Sequence, residues 1–150
     1  MMIYFILVLL IIGMEYFLKN KAEGELDSTS DISVFQNRLR LRLYHNQGAF
    51  LSMLKYRQKL LLLISCILTI CIGILFLLTL FQKGNRLLKL GLSLLLGGAF
   101  SNTYDRLKRK YVVDYFSFNT PFKSLNRIVF NVSDFCILIG SLLSVVGHTG

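Results

Sequence analysis

Only eight acidic residues occur in the 150-residue chain: Glu15, Glu23, Glu25, Asp27, Asp31, Asp105, Asp114 and Asp134. Beyond residue 31 only the last three remain, all between two long apolar runs or at the edge of one. A carboxylate at the edge of hydrocarbon costs several kcal/mol unless it is paired, hydrated or neutralised, so its presence there is a reason to look for function. When two carboxyls share a site, repulsion holds one proton between them near neutral pH. The ionised member then takes a proton from a water while the protonated member donates to a scissile carbonyl, which is the chemistry of an aspartic protease.

Spacing bears on which acids could take part. In "SNTYDRLKRKYVVDYFSF", residues 101–118, a helix running through Arg106 puts Asn102, Asp105 and Arg106 at i, i+3 and i+4, on one face. Asp114 follows the basic "LKRK" and the β-branched Val112 and Val113, which suggests a turn and a short extended piece returning toward the bilayer. "FNVSDF" sets Asn131 and Asp134 at i and i+3, again on one helical face. Each acid also has a plainer reading. Asp105 suits an interfacial ion pair with Arg106, Asp114 a solvated loop acid near Lys108, Arg109 and Lys110, and Asp134 a helix N-terminal acid favoured by the macrodipole. A fourth helix beginning at Ile128 would weaken the last of these, because Asp134 would then lie inside it.

The elements that must position these residues are apolar. The chain is 54% hydrophobic with one proline, and its mean hydropathy is +0.58, values that point to a bilayer rather than water as solvent. A helix needs about 20 apolar residues to cross a ~30 Å hydrocarbon core. Residues 2–18, 60–81, 87–104 and 128–146 are the candidate spans. The second has no charge, and the third is interrupted by Lys89, which is expected to snorkel outward. The first lacks a basic n-region and a small-x-small cleavage site before residue 20, and carries Glu15 in its apolar register, so it reads as an uncleaved helix.

The expected fold is therefore an all-α integral membrane protein of one domain, residues 1–150, with four transmembrane helices and a small strand-containing loop region at about residues 19–59. That loop opens with "KAEGELDSTSD", read as a flexible linker. "RLRLRLY" then alternates Leu39, Leu41 and Leu43 with Arg38, Arg40 and Arg42, as an amphipathic strand at the membrane surface. Asn46 and Gly48 in "HNQGAF" supply turn chemistry, and "QKGNR" makes a short, tight connection between the second and third spans.

The net charge of +9 comes from 17 basic residues spread along loops that border the spans, which fits lipid headgroups and not nucleic acid. Cys66, Cys71 and Cys136 fall within the spans without zinc-site or disulfide spacing, so neither a metal nor a cofactor is expected. Lys83, Arg86 and Lys89 lie on the side of the termini and the other 14 of the 17 on the opposite side, so the charge rule alone would put the long loop in the cytoplasm.

"GGAFSNTYDRLKRKYVVDYFSF" followed by "FNVSDF" resembles the two C-terminal signatures of lipoprotein signal peptidase, signal peptidase II: G-G-A-x-G-N-x-x-D-R, then V-x-D-F, then F-N-x-A-D. The likeness covers Gly97, Gly98, Ala99, Asn102, Asp105, Arg106, Val113, Asp114, Phe130, Asn131 and Asp134 in order. "YHNQGAF" is similar to the family's N-x-G-A-A-F element with Asn46 as the matching asparagine. "EYFLKN" loosely echoes D-Q-x-T-K, with Glu15 in place of aspartate and Lys19 kept; Ser101 stands where glycine is usual.

The resemblance implies a bacterial intramembrane aspartyl endopeptidase that removes signal peptides from prolipoproteins, cutting just before a diacylglyceryl-modified cysteine. It implies Asp114 and Asp134 as the catalytic dyad, with Asn46, Asn102, Arg106 and Asn131 lining the pocket. Asp105, Gly97, Gly98, Glu15 and Lys19 would give structural support. It further implies a multi-pass monomer in the cytoplasmic membrane, in contact with lipid and with no nucleic-acid partner. Both termini would be cytoplasmic and the active site would open on the extracytoplasmic side, against the charge count. The competing reading is a non-enzymatic four-span protein, either an inactive relative or a small interaction partner of the envelope.

Overall fold

Leu, Ile and Phe dominate two helices that are long and apolar enough to cross a membrane, α1 (Met2–Glu25) and α2 (Gln58–Leu80), with mean hydropathies of 2.0 and 3.1. The other two, α3 (Arg86–Arg109) and α4 (Val132–Thr149), are respectively long but charged at both ends, and apolar but shorter. The structure is a computed structural model and describes residues 1–27, 29–48, 57–122 and 124–149. Ala49 and Phe50 of "YHNQGAF" lie outside the described residues.

Helix α3 is the centre of the bundle, and α1, α2 and α4 all pack against it. Lipid is as apolar as these surfaces, so the helices hold together by close packing rather than by hydrophobic exclusion. The α3–α4 seam shows how. A Cβ on Gly140 would stand 2.5 Å from the Leu95 nitrogen, and one on Gly147 2.5 Å from the Leu88 nitrogen. On the other flank Val8, Phe76, Leu80 and Leu92 form a buried cluster joining α1, α2 and α3. The outward faces keep Leu9, Phe17, Ile67, Ile74 and Leu142 exposed, apolar surface of a kind that suits lipid.

A three-stranded antiparallel sheet lies at one end, in the order β1 (Ile32–Val34), β2 (Leu39–Asn46), β3 (Val112–Phe118). The register runs from Leu39 opposite Phe118 to Asn46 opposite Val112, with an irregularity between Leu41 and Tyr44. Phe130 extends the sheet: its N–H donates to the Phe116 carbonyl at 2.7 Å, and its own carbonyl accepts from Tyr115 and Phe116. Rings of Phe116, Phe118, Phe130 and Phe135 pack together over this bridge and clamp β3 to the start of α4.

Several expectations need correction. The linker does not begin after residue 18, because α1 continues to Glu25 and the polar stretch is held by Asp27, whose side chain accepts from Thr29 and Ser30. The helix formers of "KNKAEGE" favour this, and Glu23 is fixed from outside by Arg109 at 3.2 Å and His45 at 3.1 Å. The third helix extends past residue 104 to Arg109. The fourth begins at Val132, not Ile128, because Phe130 is bridged to β3 and Asn131 caps the helix. On the arginine side of β2, Arg40 and Arg42 both pair with Asp31, and Arg40 also donates to Asn119. Lys89 does not snorkel outward but is buried, donating to the Gln82 carbonyl at the end of α2.

Candidate active site

Strand β3 carries Asp114 inward and the first turn of α4 carries Asp134, and the Phe130 bridge brings the two segments together. Asp114 is buried, 2% exposed. The Asn46 amide donates to its Oδ2 at 3.0 Å and the Asn131 amide to its Oδ1 at 2.7 Å. For Asp134, the Asn102 amide donates to Oδ1 at 3.1 Å and the Asn131 backbone N–H to Oδ2 at 3.1 Å. Three asparagine side chains thus hold the two carboxyls, and Asn131 touches both.

The Asn131–Asp134 spacing has a local cause. Asn131 is the N-cap of α4, its Oδ1 accepting from the Asp134 N–H at 3.0 Å while Asp134 accepts from the Asn131 N–H. This is the reciprocal arrangement of a capping box, built here from Asn and Asp. Asp134 is therefore in the first helical turn, as the plainer reading had it, and it also faces the cavity.

Asn102 and Asp105 share a side of α3, where both meet the Lys19 ammonium. Asn102 and Arg106 line the cavity, whereas Asp105 turns toward α1 and is 2% exposed. Its partner is not Arg106: it pairs with Lys19 at 3.0 Å and Arg109 at 3.5 Å, and accepts the Val113 N–H at 3.2 Å. Arg106 donates to the Asn102 carbonyl, and its Nε is buried without a partner among the described residues. Gly97 and Gly98 have steric reasons. A Cβ on Gly97 would meet Ile11 of α1 at 2.9 Å, and one on Gly98 the Ser133 carbonyl at 2.6 Å.

Behind the aspartates lies a buried polar layer. Lys19 pairs with Glu15 at 3.5 Å and donates to Ser101 at 3.0 Å and to Asn102 at 2.9 Å. Glu15 in turn accepts from Tyr115 and Ser133. The sequence pointed only loosely to Glu15 and Lys19, offered Tyr115 only as an aromatic that could bury its ring, and did not single out Ser133; a Glu and Lys four residues apart on an apolar helix was the available signal.

The cavity has a volume of about 910 Å³. Its walls are Leu68, Ile72, Leu95, Ala99, Ile137 and Leu138, with Ser65, Thr69 and Thr103 as hydroxyls between α2 and α3, and Tyr44, Arg127 and residues 128–130 toward the sheet. It can therefore take an apolar chain with its polar end at the two carboxyls. Burial first, and the nearby Asp134 carboxylate second, push the Asp114 carboxyl up to about 7. That value suits a carboxyl that carries a proton near neutral pH. Among the described residues no three His, Cys, Asp or Glu side chains gather as ligands for a metal.

Several known proteins are similar to this chain along most of its length. A lipoprotein signal peptidase of Latilactobacillus sakei is 34% identical over 140 residues, 93% of this chain and 89% of that protein. One from Clostridioides difficile is 28% identical over 141 residues, 94% and 90% of the two chains. A solved bacterial membrane enzyme superposes with a TM-score of 0.83 at 20% identity, covering 99% of this chain and 88% of its own, which shows a shared fold. The sequence pattern of the signal peptidase (SPase) II family matches residues 7–149, and the chain belongs to that family.

Proposed function

We propose that Asp114 and Asp134 are the catalytic pair of an aspartyl endopeptidase that cuts prolipoproteins just before a diacylglyceryl-modified cysteine. Relatives that cover most of the chain are lipoprotein signal peptidases, which supports signal-peptide removal as the activity. The observation that carries the residue assignment is the asparagine frame: four hydrogen bonds from Asn46, Asn102 and Asn131 converge on two carboxyls, buried Asp114 and half-buried Asp134, at the wall of an apolar cavity.

The mechanism follows from that frame. Asp114 carries the shared proton and donates it to the scissile carbonyl, while ionised Asp134 takes a proton from the attacking water. Donation from the Asn102 amide and the Asn131 N–H fixes the Asp134 lone pairs, so the base does not rotate away. Arg106 presents its guanidinium to the cavity, where it steadies negative charge on the carboxyl pair and on the carbonyl oxygen under attack. The apolar walls hold the acyl chains and the signal-peptide helix. Gly97, Gly98, Asp105, Glu15 and Lys19 keep α1, α3 and α4 in register around the pair.

In this reading all four helices of the single domain, residues 1–150, span the bacterial cytoplasmic membrane in a monomer. The sheet stands over the extracytoplasmic end and the termini are cytoplasmic. The function is tested with purified protein in detergent and a diacylglyceryl-modified prolipoprotein read as a gel mobility shift; an unmodified prolipoprotein should stay uncut. Orientation is tested with cysteines introduced at Thr29 and Lys83 in a background lacking Cys66, Cys71 and Cys136. A membrane-impermeant reagent should label position 29 in intact cells, and labelling of 83 alone would invert the topology.

A further inference from the structure

Glu15 and Lys19 are 0% and 1% exposed, and no step of the reaction uses either. Both oxygens of Glu15 are committed to the chain neighbours of the dyad. Oε1 accepts from the hydroxyl of Tyr115, the residue after Asp114, at 2.6 Å. Oε2 accepts from the backbone N–H of Ser133, the residue before Asp134, at 3.1 Å and from its hydroxyl at 2.5 Å. The Tyr115 hydroxyl also accepts the Val132 N–H at 3.2 Å. A helix leaves its first N–H groups without internal partners. In α4 those of Val132, Ser133 and Asp134 go to Tyr115, Glu15 and Asn131 respectively, so Glu15 helps to set where the helix bearing Asp134 begins.

Lys19 acts on the second side of the pair. It holds the Asn102 oxygen at 2.9 Å, which aims the Asn102 amide at Asp134, and it pairs with Asp105, which accepts the N–H of Val113 just before Asp114. Ser101, Tyr115 and Ser133 stand where the motif forms quoted above carry glycine, phenylalanine and alanine. All three of these hydroxyls meet Glu15 or Lys19.

We propose that Glu15, acting through the hydroxyls of Tyr115 and Ser133, is a positioning residue that sets the separation and orientation of the two dyad carboxyls. The proposal rests on the dyad reading above. It makes two hydroxyls with no access to substrate important for turnover rather than for substrate capture.

The experiment compares Tyr115→Phe, Ser133→Ala and the double variant with wild type, in detergent, on a diacylglyceryl-modified prolipoprotein, with Asp114→Asn run alongside. The quoted motif forms carry Phe and Ala at these positions, so both changes are sterically acceptable; each deletes one hydroxyl. We expect Tyr115→Phe and Ser133→Ala each to lower kcat about 10- to 100-fold, with KM within about twofold. The alkaline limb of the pH profile should shift, because carboxyl separation sets how strongly the pair shares its proton. The double variant should lose less than the product of the single losses, since both hydroxyls act through one carboxylate. An inactive Asp114→Asn beside single variants with wild-type kcat and pH profile per folded molecule, whatever their Tm, would overturn the positioning role alone. Near-normal turnover by Asp114→Asn would overturn the dyad reading and this inference with it.

Discussion

Asp114→Asn removes a carboxyl that the fold keeps from ionising. Burial and the Asp134 carboxylate push that group up to about 7, against about 3.9 in an unfolded chain. The gap of about 3 units, at about 1.36 kcal/mol each, is about 4 kcal/mol. Because the folded state binds this proton more tightly, it has the full advantage below about pH 4 and loses it as pH rises toward 7. Above that, wild type bears the cost of a buried charge and the asparagine variant does not. The variant has a cost of its own, since its amide NH₂ faces one of the Asn46 and Asn131 donors; that mismatch is worth about 1–3 kcal/mol and does not vary with pH. The stability difference should therefore move in the variant's favour by about 4 kcal/mol between about pH 4 and pH 8. For a chain of this size that is a change of roughly 8–16 °C in the Tm difference. Thermal unfolding of both proteins in detergent across that range is the assay. A difference that is flat with pH, or that moves in the wild type's favour, would refute the claim that Asp114 is held protonated by its surroundings.

Lys19→Met should destabilise by about 3–5 kcal/mol, because it strands the buried Glu15 carboxylate without its cation and leaves Asp105 only Arg109; Tm and folded yield measure it. Gly140→Ala drives a Cβ to 2.5 Å from the Leu95 nitrogen and should cost about 1–3 kcal/mol or more by forcing α3 and α4 apart. Gly24→Ala, with nothing within 4 Å, should instead be neutral or gain up to about 1 kcal/mol in the same measurement. Turnover should decline on the alkaline side with an apparent pKa of about 7, as the shared proton is lost; a rate that stays flat well above that value would contradict Asp114 as the acid.

Uninterrupted apolar runs made the helices legible, and α2, expected at residues 60–81, occupies Gln58–Leu80. The boundaries that went astray are those where tertiary contacts outweigh hydropathy. Residues 128–130 continue the apolar run of α4, yet Phe130 pairs with Phe116 and Asn131 caps the helix. Read as a capping box, Asn131 and Asp134 would have marked that start. The hairpin of β1 and β2 was half visible. β1 has only three residues, and the "FQNR" turn reaches positive φ at Phe35, Gln36 and Asn37 without a glycine to announce it. In the site, the motif spacing led to the carboxyls and their asparagines. Spacing alone paired Asp105 with Arg106, whereas its cations are Lys19 and Arg109, because the face of α3 that meets α1 is set by bundle packing. The Glu15–Tyr115–Ser133 layer joins Glu15 to residues 100 and 118 positions away, beyond the reach of periodicity.

The most direct test of the account is cleavage of a diacylglyceryl-modified prolipoprotein by folded, detergent-solubilised wild type, Asp114→Asn and Asp134→Asn. Wild type should remove the signal peptide while each single variant, with an intact unfolding transition, is inactive. The double variant should be little worse than either, since paired groups that act as a unit do not lose activity additively. Near-normal turnover by either single variant would contradict the assignment of Asp114 and Asp134 as the catalytic pair.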